Sequence, residues 1–443
     1  MKQMKVVESF EYDKSKLHKV KMSTYGNNWP VVYILEGDKE AYVGETTDVY
    51  KRSNQHMKRP ERSKLKRIHI IGDKQFNKSA VLDIEALLIS HMSADGKFQL
   101  QNGNGGLQNH RYYNKDLYHD IKFELIWKEL MRNKLADKSL LQIRNSDLFK
   151  FSPYKALTEE QLLIAKDITK TILTKDASSH MIKGEPGSGK TILAVFLVKY
   201  LIQMKAINNS SIALVVPMTS LRKTLKAVFK NIKGLSAAMV IGPNDVVKKD
   251  YEILIIDEAH RLTRRKGIQG YGAYDNINRN HGWDIHKTTQ LDWIERSAKH
   301  VVLFYDGNQS VKPADIPTER FYDFAGAVYT LKSQMRVLGG NDYIQYVENI
   351  LTGFQKSKQS FKGYDFKLFE DVGQMVELIK IKNKQYGLCR SVAGYAWDWI
   401  SKEDKSKKDI VIDNHGFTWN SVTKDWVNSD NAINEIGCIH SIQ

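Results

Sequence analysis

Two cysteines in 443 residues, Cys389 and Cys438, are too few for a disulfide framework or a cysteine-built zinc site. That scarcity suits a reducing cytosol. No run of about 18 apolar residues occurs anywhere. The opening segment MKQMKVVESFEYDKSK has no apolar stretch of the kind a secretory leader needs. A cytoplasmic protein with no membrane partner is therefore expected. Internal repeats are absent, and the one low-complexity hint is the run Gln101–Gly106 (QNGNGG). Acidic residues are in deficit as well: 51 against 67 basic ones leave a net charge of +16. That imbalance favours a polyanionic partner, nucleic acid first. Hydrophobic residues at 42% and charged residues at 27% are those of a folded chain, long enough for two or three domains.

What is present in most concentrated form is the stretch Met181–Tyr200. Within it, Gly184-Glu185-Pro186-Gly187-Ser188-Gly189-Lys190-Thr191 fits the phosphate-binding pattern G-x-x-x-x-G-K-[ST] at every fixed position. Gly184, Gly187 and Gly189 are expected at positive φ, so that the loop can wrap phosphate oxygens. Lys190 brings a compact positive charge to the β- and γ-phosphates, and the Thr191 hydroxyl is a ligand for Mg²⁺. The apolar run Ile192–Ile202 predicts a helix whose positive end faces the same phosphates. ATP and Mg²⁺ are the expected cofactors. Further on, Ile253–Ile256 predicts a central parallel strand with Asp257-Glu258 at its C-terminal end. Asp257 is placed to hold Mg²⁺ and Glu258 to polarise the attacking water. Ile212–Pro217 and Val301–Asp306 predict two more strands, and Leu221–Lys230 a basic helix between them.

Residues 1–150 hold 27 Lys/Arg against 19 Asp/Glu, half of the net charge in a third of the chain. Val31–Leu35 and Glu40–Gly44 are β-type runs parted by Gly37-Asp38-Lys39, a predicted hairpin. Asp48–Met57 has helical character with Arg52 and His56 on one face at i, i+4 spacing. Ser79–Met92 predicts a second helix, with Glu85 beside the apolar stripe. The basic run Lys51–Arg67 holds eight Lys/Arg and one acid, Glu61, either a solvated flank or a grip on backbone phosphates. Lys122–Leu135 is expected to be helical within a connector, and Ser152-Pro153 marks a break.

The order Tyr33, Tyr42-Val43-Gly44, Arg52, His56, Glu85, Asn102 resembles the GIY-YIG nucleases, with Val31-Val32-Tyr33 departing from the literal G-I-Y. The resemblance covers residues 28–110. It implies a metal-dependent phosphodiesterase site. In it Glu85 binds one Mg²⁺ or Mn²⁺, Arg52 holds the phosphate, Tyr33 or His56 activates water, and Tyr42 orients the site.

The second module opens at Leu157. Thr158 and Gln161 form a capping-box pattern, and Gln161 also resembles the glutamine that contacts adenine in superfamily 1 helicases. Thr219-Ser220 before the basic helix is similar to a helicase motif that touches the nucleic-acid backbone. Gln309, after the Val301–Asp306 strand, resembles the γ-phosphate sensor, and Arg336 in Ser333-Gln334-Met335-Arg336 the arginine finger. The polar segment Arg264–Lys287 is read as either a nucleic-acid-contacting loop or a solvated insertion. S-Q-M-R-V-L-G-G-N-D-Y and C-R-S-V-A-G-Y-A-W-D-W look more narrowly like the schlafen group 3-like helicase domain, over about residues 155–443. Trp397 and Trp399 are expected in core packing. Cys438-Ile439-His440-Ser441-Ile442-Gln443 is similar to the start of a helicase motif, which implies that the second lobe is incomplete and ATPase or unwinding weak or absent in this 443-residue form.

The resulting expectation is an α/β chain in three parts. A small GIY-YIG domain with a helical connector spans 1–150, a RecA-like P-loop parallel-sheet lobe 151–335, and a partial second RecA-like lobe 336–443. Its function is an ATP-dependent nucleic-acid enzyme, DNA favoured over RNA, cutting through the N-terminal site, with a role against foreign DNA implied by such fusions. The rivals are an ATP-switched binding or sensing protein with a degenerate nuclease fold, and an RNA-directed enzyme. The sequence leaves the oligomeric state open.

Overall fold

The computed structural model describes residues 7–103, 112–155, 157–204, 209–268, 270–310, 312–332, 340–354, 357–361, 364–387, 389–394, 396–422 and 426–439. β1 (Val7–Glu11) is followed by α1 (Leu17–Lys21). β2 (Val31–Gly37) and β3 (Glu40–Thr46) then form the predicted hairpin, with Tyr33 opposite Gly44 and Leu35 opposite Tyr42. α2 (Val49–Met57) is capped by Asp48, whose carboxylate accepts from the Lys51 N–H at 2.8 Å. β4 (Leu65–Ile71) lies between β1 and β2, antiparallel to both. α3 (Lys78–Asp95) ends at Gly96 in the left-handed region, and β5 (Gln99–Leu100) adds parallel to β3. The five strands lie in the order β1-β4-β2-β3-β5. Because side chains alternate along a strand, β2 feeds two cores. Val32 and Ile34 join one, while Val31, Tyr33 and Leu35 join the other.

Gly44 is fixed by this packing. A Cβ there would sit 2.6 Å from Tyr33 Cζ and 2.9 Å from Tyr42 Cε1, ring atoms with no room to retreat. Gly44→Ala should therefore destabilise the fold by roughly 1–3 kcal/mol, the usual size of core overpacking. Chemical denaturation would show it as a lower midpoint at unchanged slope.

A π-helical turn at Leu117–Lys122 leads into α4 (Phe123–Arg132), then α5 (Leu140–Arg144) and α6 (Asp147–Lys150). This segment is more than a connector. Phe123, Trp127, Ile143 and Tyr154 are buried in one apolar core that runs from Val7 and Val32 through to Leu331. By its contacts the chain divides into one unit of Met1–Arg336 and another of Val337–Gln443.

The rest of the first unit is α7 (Glu159–Thr174), β6 (Ser178–Gly184), α8 (Lys190–Gln203), β7 (Ile212–Val215), α9 (Thr219–Lys230), β8 (Val240–Ile241), β9 (Tyr251–Ile256), α10 (Tyr271–Asn280), α11 (Gln290–Ser297), β10 (Ala298–Tyr305), α12 (Thr318–Phe324) and β11 (Ala327–Leu331). The six strands are all parallel, in the order β11-β6-β10-β9-β7-β8. This is a RecA-like sheet. β10 sits between β6 and β9, so the C-terminal ends of these three strands line up where open parallel sheets bind their ligands.

The polar segment Arg264–Lys287, read as either a nucleic-acid-contacting loop or a solvated insertion, carries a helix and buried polar pairs among its described residues. It contains α10, whose Tyr274, Asp275 and Asn278 are buried. Arg265 makes a bidentate pair with Asp275 at 2.6 and 2.8 Å. Asn278 accepts from the Trp293 indole at 2.7 Å, and the Tyr274 hydroxyl donates to the Thr288 carbonyl. Buried polar partners hold what apolar periodicity does not reveal.

The second unit contains α13 (Gly340–Leu351), α14 (Val372–Tyr386), β12 (Ser391–Ala393), β13 (Ile410–Ile412), β14 (His415–Phe417) and β15 (Ile436–Cys438). β12 pairs parallel with β15, and β13 forms a hairpin with β14. Trp399 packs edge-on against Trp419, whereas Trp397 is exposed rather than in a core. Among the described residues, no helix is long and apolar enough to cross a membrane.

Candidate functional site

The phosphate loop joins the end of β6 to the start of α8, with Gly187 and Gly189 at φ +86° and +84°. Gly184 differs from expectation: it has no positive φ. It is glycine for space, since a Cβ would come within 3.2 Å of both Ser188 Cβ and Leu331 Cβ. Inside the loop, Ser188 Oγ donates to the Glu185 carbonyl at 2.8 Å. The Lys190 ammonium is buried and donates to the carbonyls of Gly184 (2.6 Å) and Glu185 (3.1 Å), with Asp306 Oδ2 at 3.3 Å. Pro186 completes the turn without offering an N–H.

Asp306 is the residue that sequence reasoning passed over. A single aspartate after a strand carries no motif, yet its buried carboxylate receives Lys190 and, at 2.9 Å, the Gln309 amide nitrogen. Lys190 and Gln309 thus meet on one acid. Gln161 is fully buried and forms the predicted capping box with Thr158. Its amide nitrogen also donates to the Ser188 carbonyl at 3.1 Å, tying the start of α7 to the phosphate loop. Arg336 lies outside the described residues.

At the end of β9, Asp257 is fully buried and neither carboxylate oxygen has a well-formed hydrogen bond. Burial and the neighbouring Glu258 carboxylate push its pKa up, while the adjacent Thr191 hydroxyl draws it partly back. Two unsatisfied acceptor oxygens beside a hydroxyl fit a hard dication. Glu258 sits at φ +51°, a left-handed conformation that costs about 1–3 kcal/mol for a residue with a Cβ. Burial works against its ionisation, but the His260 imidazole 3.0 Å away, with Lys190 and Arg261, holds its carboxyl below the ordinary range.

A second cluster forms in the N-terminal sheet. Tyr33 from β2, Tyr42 from β3 and His56 from α2 converge, with ring centroids 5.1 to 6.2 Å apart and the Tyr33 hydroxyl 2.6 Å from His56 Nε2. Arg52, one turn before His56, donates to Gln55 Oε1 at 2.9 Å and lies close enough to Tyr33 and Tyr42 to interact with both electrostatically. Burial, together with Arg62, Arg52 and Arg59, pushes the His56 pKa down to about 3. Burial likewise pushes Tyr33 far above the usual phenol range.

Glu85 on α3 stands beside Glu45, whose carboxylate is paired with Lys78. Burial first, and Glu45 second, raise Glu85 to about 7, against partial relief from Lys78 and Arg52. Glu45 was not singled out by sequence, because one acid following Gly44 carries no pattern. Asn102 has a defined structural task. It accepts from the Val43 N–H at 3.0 Å and donates to the Val43 carbonyl at 2.7 Å, continuing the ladder that β5 begins and fixing Tyr42 from one residue away. Among the described residues no group of three or more His, Cys, Asp or Glu is arranged to hold a metal. A dication at Glu85 would thus draw its remaining ligands from water and phosphate.

Residues 178–443 match the Schlafen group 3, DNA/RNA helicase domain. An uncharacterized protein of Saccharomyces cerevisiae, YPL245W, is 24% identical over 317 residues, covering 61% of this chain and 66% of the relative. Domain III of the replication initiation protein DnaA from Thermotoga maritima superposes with a TM-score of 0.23 at 14% identity, over 40% of this chain and 64% of that one. Arterivirus nonstructural protein 10, a helicase, gives 0.25 at 17% identity, over 45% and 47%. The chain spans less than two thirds of the length of these proteins. With the phosphate loop, the acids at the ends of β9 and β10 and a family match over more than half of its length, the chain belongs to the Schlafen group 3 DNA/RNA helicase domain family.

Proposed function

We propose that this chain is an ATP-binding nucleic-acid enzyme whose N-terminal sheet cleaves phosphodiester bonds, with DNA as the favoured substrate. The observation that carries the cleavage reading is convergence. Tyr33, Tyr42, Arg52 and His56 come from three elements onto one point, with Glu85 of a fourth close enough to feel Arg52. A folding requirement alone gives no reason to gather two arginines and a half-buried carboxylate around a tyrosine pair.

In this reading Arg52 offers its planar fork to the scissile phosphate and offsets the charge that builds there. The Tyr33 hydroxyl donates to His56 and presents its oxygen lone pairs to the attacking water, while Tyr42 walls the site. Glu85 would hold Mg²⁺ or Mn²⁺, which supplies further charge neutralisation at the phosphate. In the RecA-like lobe Lys190 binds the β/γ-phosphates, Thr191 and Asp257 would hold Mg²⁺, Glu258 orients water, and Gln309 with Asp306 senses the γ-phosphate. Lys223, Lys226 and Lys230 on α9 add a basic edge to that lobe.

The test is a nicking assay. The purified chain, supercoiled circular DNA and Mg²⁺ or Mn²⁺ should yield relaxed circles, with RNA of matched sequence cut more slowly at the same salt. Binding of DNA without any nicking would overturn the cleavage reading in favour of an ATP-switched sensor. Faster cutting of RNA would overturn the choice of substrate.

A further inference from the structure

Arg62 belongs by sequence to the basic run Lys51–Arg67, read as a solvated flank or a grip on backbone phosphates, but the structure buries it. It closes the short turn Pro60–Arg62 between α2 and β4 and is 6% exposed. Its guanidinium carbon lies 3.3 Å from the centre of the Tyr42 ring, and Nη1 is 3.4 Å from His56 Nε2. Its Nε has no hydrogen-bond acceptor, and no carboxylate of the described residues pairs with it. Buried guanidinium groups are normally held by carboxylates. Here the face of Tyr42 takes that place.

The protons follow from the geometry. Arginine donates and never accepts. A ring nitrogen facing an obligate donor carries its lone pair, so His56 Nε2 is an acceptor and the ring proton sits on Nδ1. The Tyr33 hydroxyl, 2.6 Å from the same Nε2, therefore donates. The titratable and charged groups around His56 are Tyr33 of β2, Tyr42 of β3, Arg52 of α2, Arg59 just beyond it, and Arg62. No carboxylate is among them to favour an imidazolium, and burial with the three arginines disfavours one.

We propose that Arg62 is a positioning residue of the N-terminal site. Packed on Tyr42 and against His56 Nε2, it keeps His56 a neutral acceptor, so that the Tyr33 hydroxyl points at the ring and turns its lone pairs toward Arg52 and the attacking water. The inference rests on the cleavage reading of the same site. It adds a residue outside the ordered set that the sequence reveals, and it assigns the direction of the Tyr33–His56 bond.

The test follows the His56 ring by NMR in the full chain, with the signal assigned through His56→Gln. In the wild type the ring should take up no proton above about pH 5. In Arg62→Met it should titrate at a higher pH than in the wild type, with burial, Arg52 and Arg59 still holding it below the ordinary imidazole range, and in Arg62→Lys it should titrate as in the wild type. In cleavage, Arg62→Met should lower kcat about tenfold with KM unchanged and steepen the acid limb of the pH profile by one proton. Arg62→Lys should restore the shape of the profile. If Arg62→Met does not fold, Arg62→Gln replaces it, keeping N–H donors without the charge, and should move the His56 titration in the same direction. A His56 titration that does not move from the wild-type position in the uncharged variant, with an unchanged pH profile, would overturn the role of Arg62. Absence of cutting by the wild type would overturn the cleavage reading instead, and the ring titration would still decide on Arg62.

Discussion

Replacing Lys190 with Ala should raise the dissociation constant for ATP about a hundredfold or more, the loss expected when two charge-assisted bonds to phosphate disappear. The geometry supports so large an effect. The ammonium is already inside the loop, held by the carbonyls of Gly184 and Glu185 and by Asp306. Incoming phosphates therefore meet a fixed charge and need not order a flexible surface lysine. Lys190→Ala also removes the cation facing the buried Asp306 carboxylate, and losing one partner of a buried pair is destabilising by itself. A lower melting temperature alone would thus not prove a binding role. Lys190→Arg separates the two effects, because it keeps the charge beside Asp306 while changing the shape offered to the phosphates. Equilibrium titration of a fluorescent nucleotide into each folded variant is the measurement. Affinity within a few-fold of the wild type in Lys190→Ala would remove the loop from the nucleotide site.

The phosphate loop was legible because its chemistry is local. A tight turn, a lysine and a hydroxyl at fixed offsets are written in eight consecutive residues, and Asp257 follows a strand whose four apolar residues declare it central. The hairpin that carries Tyr33 and Tyr42 was legible for the same reason, through Gly37-Asp38-Lys39. Contacts made across distance in the chain were not. Asp306 matters because β10 lies beside β6, and that adjacency is a property of strand order. Arg62 sits among eight basic residues, and composition cannot distinguish the one that turns inward onto Tyr42 from those that stay in water. α10 escaped because Asp275 and Asn278 are buried through Arg265 and Trp293, partners that hydrophobic periodicity does not register. Gly184 shows a finer limit. The sequence correctly demands a glycine, but the reason is the room taken by Ser188 and Leu331 and not a backbone angle.

Glu85→Gln should leave DNA binding intact and slow metal-dependent cleavage by about a thousandfold or more, since the amide keeps the shape but loses the charge that holds a dication. The pH behaviour makes the assignment sharper. Burial and Glu45 raise Glu85 to about 7 from an ordinary 4.5. Below about pH 7 the folded protein therefore holds this carboxyl protonated, and cutting should fall about tenfold per pH unit as the dication competes with the proton. For stability the sign runs the other way. A raised carboxylate pKa means that the native state binds the proton more tightly than the unfolded chain. Its stabilising contribution is complete below the unfolded value and is lost as pH rises through the folded one. Glu85→Gln cannot ionise and loses nothing over that range. Without metal, the variant should match the wild type in melting temperature near pH 5 and exceed it near pH 8. Adding Mg²⁺ or Mn²⁺ at the higher pH should raise the wild type by more than the variant, because the variant keeps only the Asp257 site. Equal melting of the two proteins at both pH values, with or without metal, would mean that Glu85 is an ordinary solvated acid, and the metal site would have to lie elsewhere. A variant that gains stability while losing activity is the signature of a carboxylate kept in an unfavourable place for its function, as its closeness to Glu45 and Arg52 suggests.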